Sequence, residues 1–198
     1  MRINPQNLTS FTSIPLYKVN LKKQNSDGTT SNISATFSKL ERYDGEDRTE
    51  MRKLSSSWAG TQYGEKIAKH FLGYESEYDD DEFFAIESTT PNGARNIYSI
   101  SQVNPITHLV SYLQSNPKNK MRGIKGAGEV MLWGIGRELR QDVNGGYFHL
   151  YSSPGAIGFY RQAELTSDNS FFYVDQNNGP QFFSRLEEKY GLNAKNRL

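Results

Sequence analysis

Three strand patterns follow one another between residues 83 and 113, and this run constrains the fold of the chain more than any other feature. The patterns are Phe83–Ser88, Asn96–Val103 and Ile106–Leu113, with turn residues at 91–93 and at Pro105 between them. Strands joined by short turns pair antiparallel, because a parallel pair needs a crossover of a dozen or more residues. The centre of the chain is therefore predicted to be an antiparallel sheet.

The segments before this run change from strand to helix patterns. Ile14–Lys23 and Ser34–Leu40 alternate apolar and polar residues, as half-buried strands do, around a turn at Asp27-Gly28. Asp44–Trp58 and Thr61–Leu72 instead repeat apolar residues at three- and four-residue steps, which is typical of helices. A hairpin and two helices should therefore precede the three strands.

The segments after the run alternate between helix and strand. In chain order they are a helix at Ala127–Gln141, a strand at Tyr147–Tyr151, a helix at Pro154–Gln162, a strand at Phe171–Asp175 and a helix at Pro180–Tyr190. Strand–helix–strand units indicate parallel pairing. We therefore predict an α/β (α+β) chain with a mixed, mostly antiparallel central sheet and helices on both faces.

The composition excludes several functional classes. Without cysteine, the chain has no disulfides, thiol nucleophile or thiolate metal site, and its three scattered histidines make a His-rich metal centre unlikely. A net charge of +1 argues against binding to nucleic acid. No apolar run approaches the roughly 20 residues that cross a bilayer, and the first seven residues contain no long apolar block. We therefore expect a cytoplasmic protein with no metal and no membrane partner.

A glycine-rich turn lies between the third strand of the run and the next helix. Its sequence is Gly123-Ile-Lys-Gly-Ala-Gly128, and Lys120 and Arg122 precede it. The unpaired amides that open a helix attract anions, and glycine lets the backbone approach a ligand closely. The turn is either a binding site for a diphosphate or a packing turn.

This turn, a second motif and the element order together resemble the GNAT superfamily of acetyl-CoA-dependent N-acetyltransferases. The second motif is Ser153, Ala156, Phe159 and Tyr160. The resemblance covers residues of about 35–175. Gly123 stands where the family has Gln or Arg, Ser153 stands where it has Asn, and Glu164-Leu165 replaces its Gly-Phe pair.

The resemblance implies direct transfer of an acetyl group from acetyl-CoA, as co-substrate, to a primary amine. It implies Tyr160 as the general acid beside the departing sulfur. A free Tyr has a pKa near 10 and a thiol near 8.5, so Tyr160 would act mainly by a hydrogen bond. The expected contacts to the cofactor are Leu109, Val110, Gly123, Ile124, Lys125, Gly126, Ala127, Gly128, Glu129, Ser153, Ala156 and Phe159.

The amine must lose a proton, and two residues are candidates for the general base. His108 has a suitable intrinsic pKa, and Glu87 ends a strand. Trp58 and Tyr63 are candidates for the acceptor site or for the core. The acidic stretch Glu75–Glu82 is either a solvated loop or attracts a cationic acceptor such as a polyamine or a lysine side chain.

The sequence leaves the activity and the oligomeric state open. The chain is an active enzyme, a GNAT-like module that has lost catalysis and binds CoA or a protein, or an exported effector. It is expected to be a monomer or a homodimer. We expect an N-terminal strand or hairpin extension at 1–34, the acyltransferase domain at 35–176 and a helical extension of that domain at 177–198.

Overall fold

The computed structural model describes residues 13–61, 63–73, 80–139, 145–195 and 197–198. These residues form the strands β1 Ser13–Gln24, β2 Thr30–Leu40, β3 Glu82–Thr89, β4 Arg95–Asn104, β5 Leu109–Ser115, β6 Ile124–Lys125, β7 Gly146–Tyr151, β8 Thr166–Asp168 and β9 Phe171–Asp175. They also form the helices α1 Gly45–Ser57, α2 Gly64–Phe71, α3 Ala127–Leu139, α4 Ile157–Gln162 and α5 Gly179–Tyr190, with a 3-10 turn at Pro154–Ala156 before α4.

The strands form one sheet in the order β6-β1-β2-β3-β4-β5-β7-β9-β8. Every neighbouring pair is antiparallel except β5 and β7, which are parallel and are joined through α3. The predicted mixed, mostly antiparallel sheet is confirmed. One part of that prediction is wrong, because β9 is antiparallel to β7. The short strand β8 follows α4 and reverses the chain, so that β9 returns between β7 and β8.

Helices cover both faces of the sheet, as predicted. On one face, Met51 of α1, Trp58 directly after it and Phe71 of α2 belong to the same buried cluster as Phe83 and Ile100 of the sheet. On the other face, α3 and α5 share a larger cluster with the sheet. Trp133 of α3 is fully buried there, with its ring 5.3 Å from that of Tyr17 of β1.

The first and last described segments join the same core. β1 lies in the sheet beside β2, and Phe182, Phe183 and Leu186 of α5 are buried in the cluster that contains α3. Backbone pairing also links Tyr17 with Arg197, and Leu198 N donates to Leu16 O at 2.9 Å. The sheet and the core thus include β1 and α5, which lie outside residues 35–176.

Local sequence explains where several elements begin and end. Asp44 precedes α1, and its side chain accepts hydrogen bonds from the amides of Glu46 and Asp47, which the helix itself leaves unpaired. Helix α5 ends at Gly191, whose φ of +63° suits glycine. β5 begins at Leu109 and not at Ile106, because Asn104 Oδ1 accepts hydrogen bonds from the amides at 106 and 107 and holds a turn there.

Some sequence predictions lie partly outside the described residues. These are the N-terminal extension, of which residues 1–12 are not described, the acidic stretch, of which residues 75–79 are not described, and the predicted end of α3 at Gln141. Among the residues that the structure does describe, no helix is long and apolar enough to span a membrane.

Candidate active site

The parallel strands β5 and β7 meet at one position and then separate. Leu109 lies opposite His149, and no further pair is formed between these two strands. On its other side β5 continues to pair with β4 as far as Ser115. Val110 and Tyr112 face consecutive residues of β4, so Ser111 is the extra residue of a β-bulge, a feature that bends a strand. The sheet therefore opens beyond Leu109.

The glycine-rich turn lies where β5 leads into α3. Gly123 and Gly126 have φ values of +67° and +91°, a region that few other residues adopt. Val130 N donates to Gly126 O at 2.9 Å and is the first donor of the helix, so the amides of Ala127, Gly128 and Glu129 before it have no partner within the helix. These amides carry the positive end of the α3 dipole.

A cavity of about 890 Å³ lies against this turn. Its walls come from the end of β5 and the loop after it, the turn itself, α4, the β1–β2 hairpin and the end of α5. The lining residues are Lys22, Gln24, Thr30, Ser115, Asn116, Pro117, Asn119, Lys120, Gly123–Glu129, Phe159, Gln162, Ala163, Lys189 and Tyr190. The volume falls within the range of about 300–1,000 Å³ that small-molecule and cofactor sites occupy.

The charged groups of this cavity are mainly positive. Four lysines line it, at positions 22, 120, 125 and 189, against one carboxylate, Glu129. Lys189 Nζ lies 3.0 Å from both carboxylate oxygens of Glu129, and the Tyr190 hydroxyl donates to the same group. Burial and this hydrogen bond to Glu129 raise the pKa of Tyr190, which therefore stays protonated. Lys22, Lys120 and Lys125 remain, and their positive charge favours an anionic ligand.

A second cavity of about 270 Å³ lies in the opening between β5 and β7. Four tyrosine rings line it, together with the diverging edge of β5. The lining residues are Tyr63, Val110, Ser111, Tyr112, Leu113, Gln114, Tyr151, Ser153, Gly155, Ala156 and Tyr160. Gln114 and Tyr160 are the chain neighbours of Ser115 and Phe159 in the larger cavity, so β5 and α4 contribute to the walls of both cavities.

Tyr160 is the most buried of these four tyrosines. Its side chain is 7 % exposed, and its ring lies 5.3 Å from that of Phe172. Burial is the main cause that raises the pKa of Tyr160 to about 12, and the neighbouring Tyr63 is the second. At neutral pH the hydroxyl of Tyr160 is therefore a hydrogen-bond donor to any anion formed beside it.

Two buried polar atoms in these walls have no hydrogen-bond partner among the described residues. They are Oδ1 of Asn119 in the larger cavity and Oγ of Ser153 in the smaller one. Asn119 is 6 % exposed, and its Nδ2 donates to Tyr98 O at 2.8 Å, so only its acceptor atom is left over. Buried polar groups are seldom left unpaired, and a ligand is one explanation of such an atom.

Glu87, a candidate base from the sequence, lies away from both cavities. Its Oε1 accepts a hydrogen bond from Ser13 at 2.7 Å, and its Oε2 accepts one from Arg95 at 2.8 Å. Arg95 also forms an ion pair with Asp47 at 2.5 Å, and the Asp47 side chain is fully buried. The three charges form a structural cluster between α1, β3 and β4.

His108, the other candidate base, lies in the turn before β5. Its φ is +58°, and its Nδ1 lies 3.1 Å from Tyr147 O. The side chain lines a separate hollow with His149 and Phe171 and does not line the opening between β5 and β7. In the part of the chain that the structure describes, no group of three or more His, Asp or Glu could hold a metal ion.

The structure brings together most of the cofactor contacts expected from the sequence. Gly123, Ile124, Lys125, Gly126, Ala127, Gly128, Glu129 and Phe159 line the larger cavity, and Val110, Ser153 and Ala156 line the smaller one. Leu109 lines neither, because it forms the pair with His149. Tyr63 lines the smaller cavity, whereas Trp58 is 2 % exposed in the core.

Several lining residues were not predicted. Lys22, Asn119, Lys189 and Tyr190 reach the larger cavity from β1, from the loop after β5 and from α5. No spacing motif connects these positions, which lie up to 168 residues apart along the chain. Only the tertiary structure brings them to the glycine-rich turn.

Comparison with known proteins gives one distant likeness. No protein-family model matches the sequence, and no curated protein matches it. Among solved structures, the chain is similar to mutant forms of the spermidine/spermine N-acetyltransferase SpeG from Vibrio cholerae, with 12% sequence identity and a TM-score of 0.43. The likeness covers 76% of this chain and 98% of that one.

Proposed function

We propose that this protein is an N-acetyltransferase that uses acetyl-CoA as co-substrate and a primary amine as acceptor. The observation that carries this proposal is the opening of the sheet between two parallel strands, beside a helix that begins at a glycine-rich turn. Two cavities lie there, and each is lined by a residue that has a buried polar atom without a partner among the described residues. A long ligand with an anionic end and a reactive end fits this arrangement.

The larger cavity would hold the nucleotide end of the co-substrate. The amides of Ala127, Gly128 and Glu129 and the α3 dipole favour its diphosphate. The pantetheine arm would then follow β5 from Val110 to Ser115, where the strand has left β7. The amides of the arm would take the place of strand partners along this edge of β5.

The reaction would take place in the smaller cavity. The acceptor nitrogen forms a bond to the thioester carbonyl carbon, and the carbon–sulfur bond breaks with its electron pair on sulfur. The amine loses one proton, and the coenzyme thiolate gains one, so the products are an amide and CoA. No residue needs to form a covalent intermediate.

Tyr160 would stabilise the departing thiolate by a hydrogen bond. With its pKa raised to about 12, complete transfer of its proton to a thiolate of ordinary pKa near 8.5 is well uphill. The hydroxyl therefore donates without being consumed. Ser153, a half-buried residue in the wall of this cavity, would donate to the thioester carbonyl, whose oxygen gains negative charge during the attack.

The acceptor would enter as a free amine. Neither Glu87 nor His108 lines the reaction cavity, and an amine with a pKa near 10 is neutral in only about one molecule in a thousand at pH 7. The rate at low acceptor concentration is then expected to increase with pH up to the amine's own pKa, without a plateau at the pKa of a histidine.

Binding and turnover test this function separately. Coenzyme A at 100 times its Kd should raise the free energy of unfolding by about 2.7 kcal/mol, which a thermal shift assay detects. Release of thiol from acetyl-CoA in the presence of a panel of amines would then establish transfer. Binding without turnover on any amine would favour a GNAT-like module without catalysis, and absence of binding at millimolar coenzyme would refute both.

A further inference from the structure

Two lysines lie directly opposite each other in the short ladder between β1 and β6. Lys22 pairs with Lys125, and Lys23 pairs with Ile124. Directly opposite residues of an antiparallel pair project from the same face of the sheet with Cβ atoms about 5 Å apart, and like charges in this position are destabilising. The ladder thus places two lysine side chains next to each other on one face of the sheet.

The surrounding side chains do not offset this charge. Lys22 is half-buried, and its Nζ donates to the neutral Oδ1 of Asn32 at 2.9 Å. Within the described ranges, neither Lys22 nor Lys125 forms an ion pair with a carboxylate. Both lysines line the 890 Å³ cavity, so an anion bound there would relieve their repulsion.

This lysine pair is distinct from the anion site at the start of α3. The helix amides follow Gly126, whereas Lys125 precedes it and faces β1. The one carboxylate in the cavity wall, Glu129, is already held by Lys189 and Tyr190 on the α3 side of the turn. The cavity therefore has two separate groups that favour anions, and a ligand with two separate phosphate groups matches both.

We propose that Lys22 and Lys125 bind the phosphomonoester on the ribose of coenzyme A, while the helix amides bind its diphosphate. The protein then distinguishes coenzyme A from its 3′-dephosphorylated form. This assignment rests on the proposed function, and it adds a specificity site that includes β1, a strand outside the region of the GNAT resemblance.

The test is calorimetric titration of the full chain with coenzyme A and with 3′-dephospho-coenzyme A. The wild type should bind coenzyme A more tightly by about tenfold or more, as expected for charge-assisted hydrogen bonds to a phosphate. The double variant Lys22→Gln/Lys125→Gln should bind both forms equally, with an affinity close to that of the wild type for the dephosphorylated form.

Lys23→Gln is the matched control. Lys23 lies on the same strand next to Lys22, is exposed and does not line the cavity. Lys23→Gln removes one positive charge beside the pair, where the double variant removes two, and it should keep the wild-type preference. Without ligand, the double variant should unfold at the same temperature as the wild type or a higher one, because it removes a repulsion.

The possible outcomes separate this inference from the proposed function. Equal binding of the two coenzymes by the wild type, or a preference that survives in the double variant, would overturn the lysine assignment and leave the proposed function in place. If the folded wild type binds neither form, both fail. Loss of the preference in Lys23→Gln as well would also overturn the assignment, because a general charge effect would then explain the result.

Discussion

Among single residues, Tyr160 offers the most direct test of catalysis. Its side chain is buried beside the smaller cavity, and because its pKa is raised to about 12 the hydroxyl stays protonated at neutral pH. Tyr160→Phe keeps the ring that packs on Phe172 and removes only the donor. We expect kcat to fall on the order of a hundredfold, with little change in affinity for coenzyme A, in steady-state kinetics. Tyr43→Phe, at a side chain that is 91% exposed, is the control, and full activity of Tyr160→Phe would remove the assigned role.

Gly126 combines a positive φ with close packing. A Cβ at this position would lie 2.3 Å from the Tyr190 ring, whereas a Cβ at Gly93, whose φ is +81°, would meet nothing within 4 Å. Gly126→Ala and Gly93→Ala therefore share the backbone strain, and only the first adds a clash. In urea unfolding, Gly126→Ala should cost roughly 1–3 kcal/mol more than Gly93→Ala. Equal costs would show that the Tyr190 side chain moves freely away from the turn.

At the level of elements, the cluster of Asp47, Glu87 and Arg95 connects α1 to β3 and β4. Burial raises the pKa of Asp47 to about 6, although the hydrogen bonds from the Glu41 amide and Arg95 lower it. The folded state then holds the Asp47 proton more tightly than the unfolded chain, in which the pKa is about 3.9. This contribution to stability is complete below about pH 4 and is lost as the pH rises to about 6.

Asp47→Asn removes that proton linkage. Compared with the wild type, the variant should gain relative stability between pH 4 and pH 6, as measured by urea unfolding at a series of pH values. Glu46→Gln, an exposed neighbour in the same helix, should change this difference little. A constant difference between wild type and Asp47→Asn over this range would contradict the raised pKa.

Periodicity predicted the longer elements and failed for the shortest ones. Phe171–Asp175 was predicted with its observed bounds, and the five helices were placed within a few residues because their apolar spacing is regular. β6 and β8 were missed, since strands of two and three residues carry no period. The parallel pairing of β7 with the strand at Phe171–Asp175 was predicted wrongly for the same reason, because the reversal depends on β8.

The candidate site was predictable where it is local in sequence. The turn at 123–128 and the motif at 153–160 are short, and each carries its chemistry in adjacent residues. Lys22 and Tyr190 were not predictable, because their role depends on the β1–β6 pairing and on the packing of α5 against α3. Glu87 has the chemistry of a base, but its partner Arg95 is an ordinary residue in the sequence, and only the structure shows the ion pair between them.

For the whole molecule, the wall of the larger cavity is complete only when distant parts of the chain have come together. Lys22 must meet Lys125, and Tyr190 must meet Glu129, before the glycine-rich turn has its surroundings. Contacts of such long sequence separation have a high entropic cost and are expected to form late in folding. A ligand of this cavity should therefore bind the native state and hardly the transition state.

Coenzyme A should accordingly slow unfolding and leave refolding nearly unchanged. In stopped-flow dilution experiments, the stabilisation by ligand would be found almost entirely in the unfolding rate, which falls about a hundredfold at 100 times the Kd. Faster refolding in the presence of coenzyme would instead mean that the site is already formed in the transition state of folding. Because remote strands and helices complete the wall of one cavity, a ligand bound there would slow the loss of structure throughout the protein.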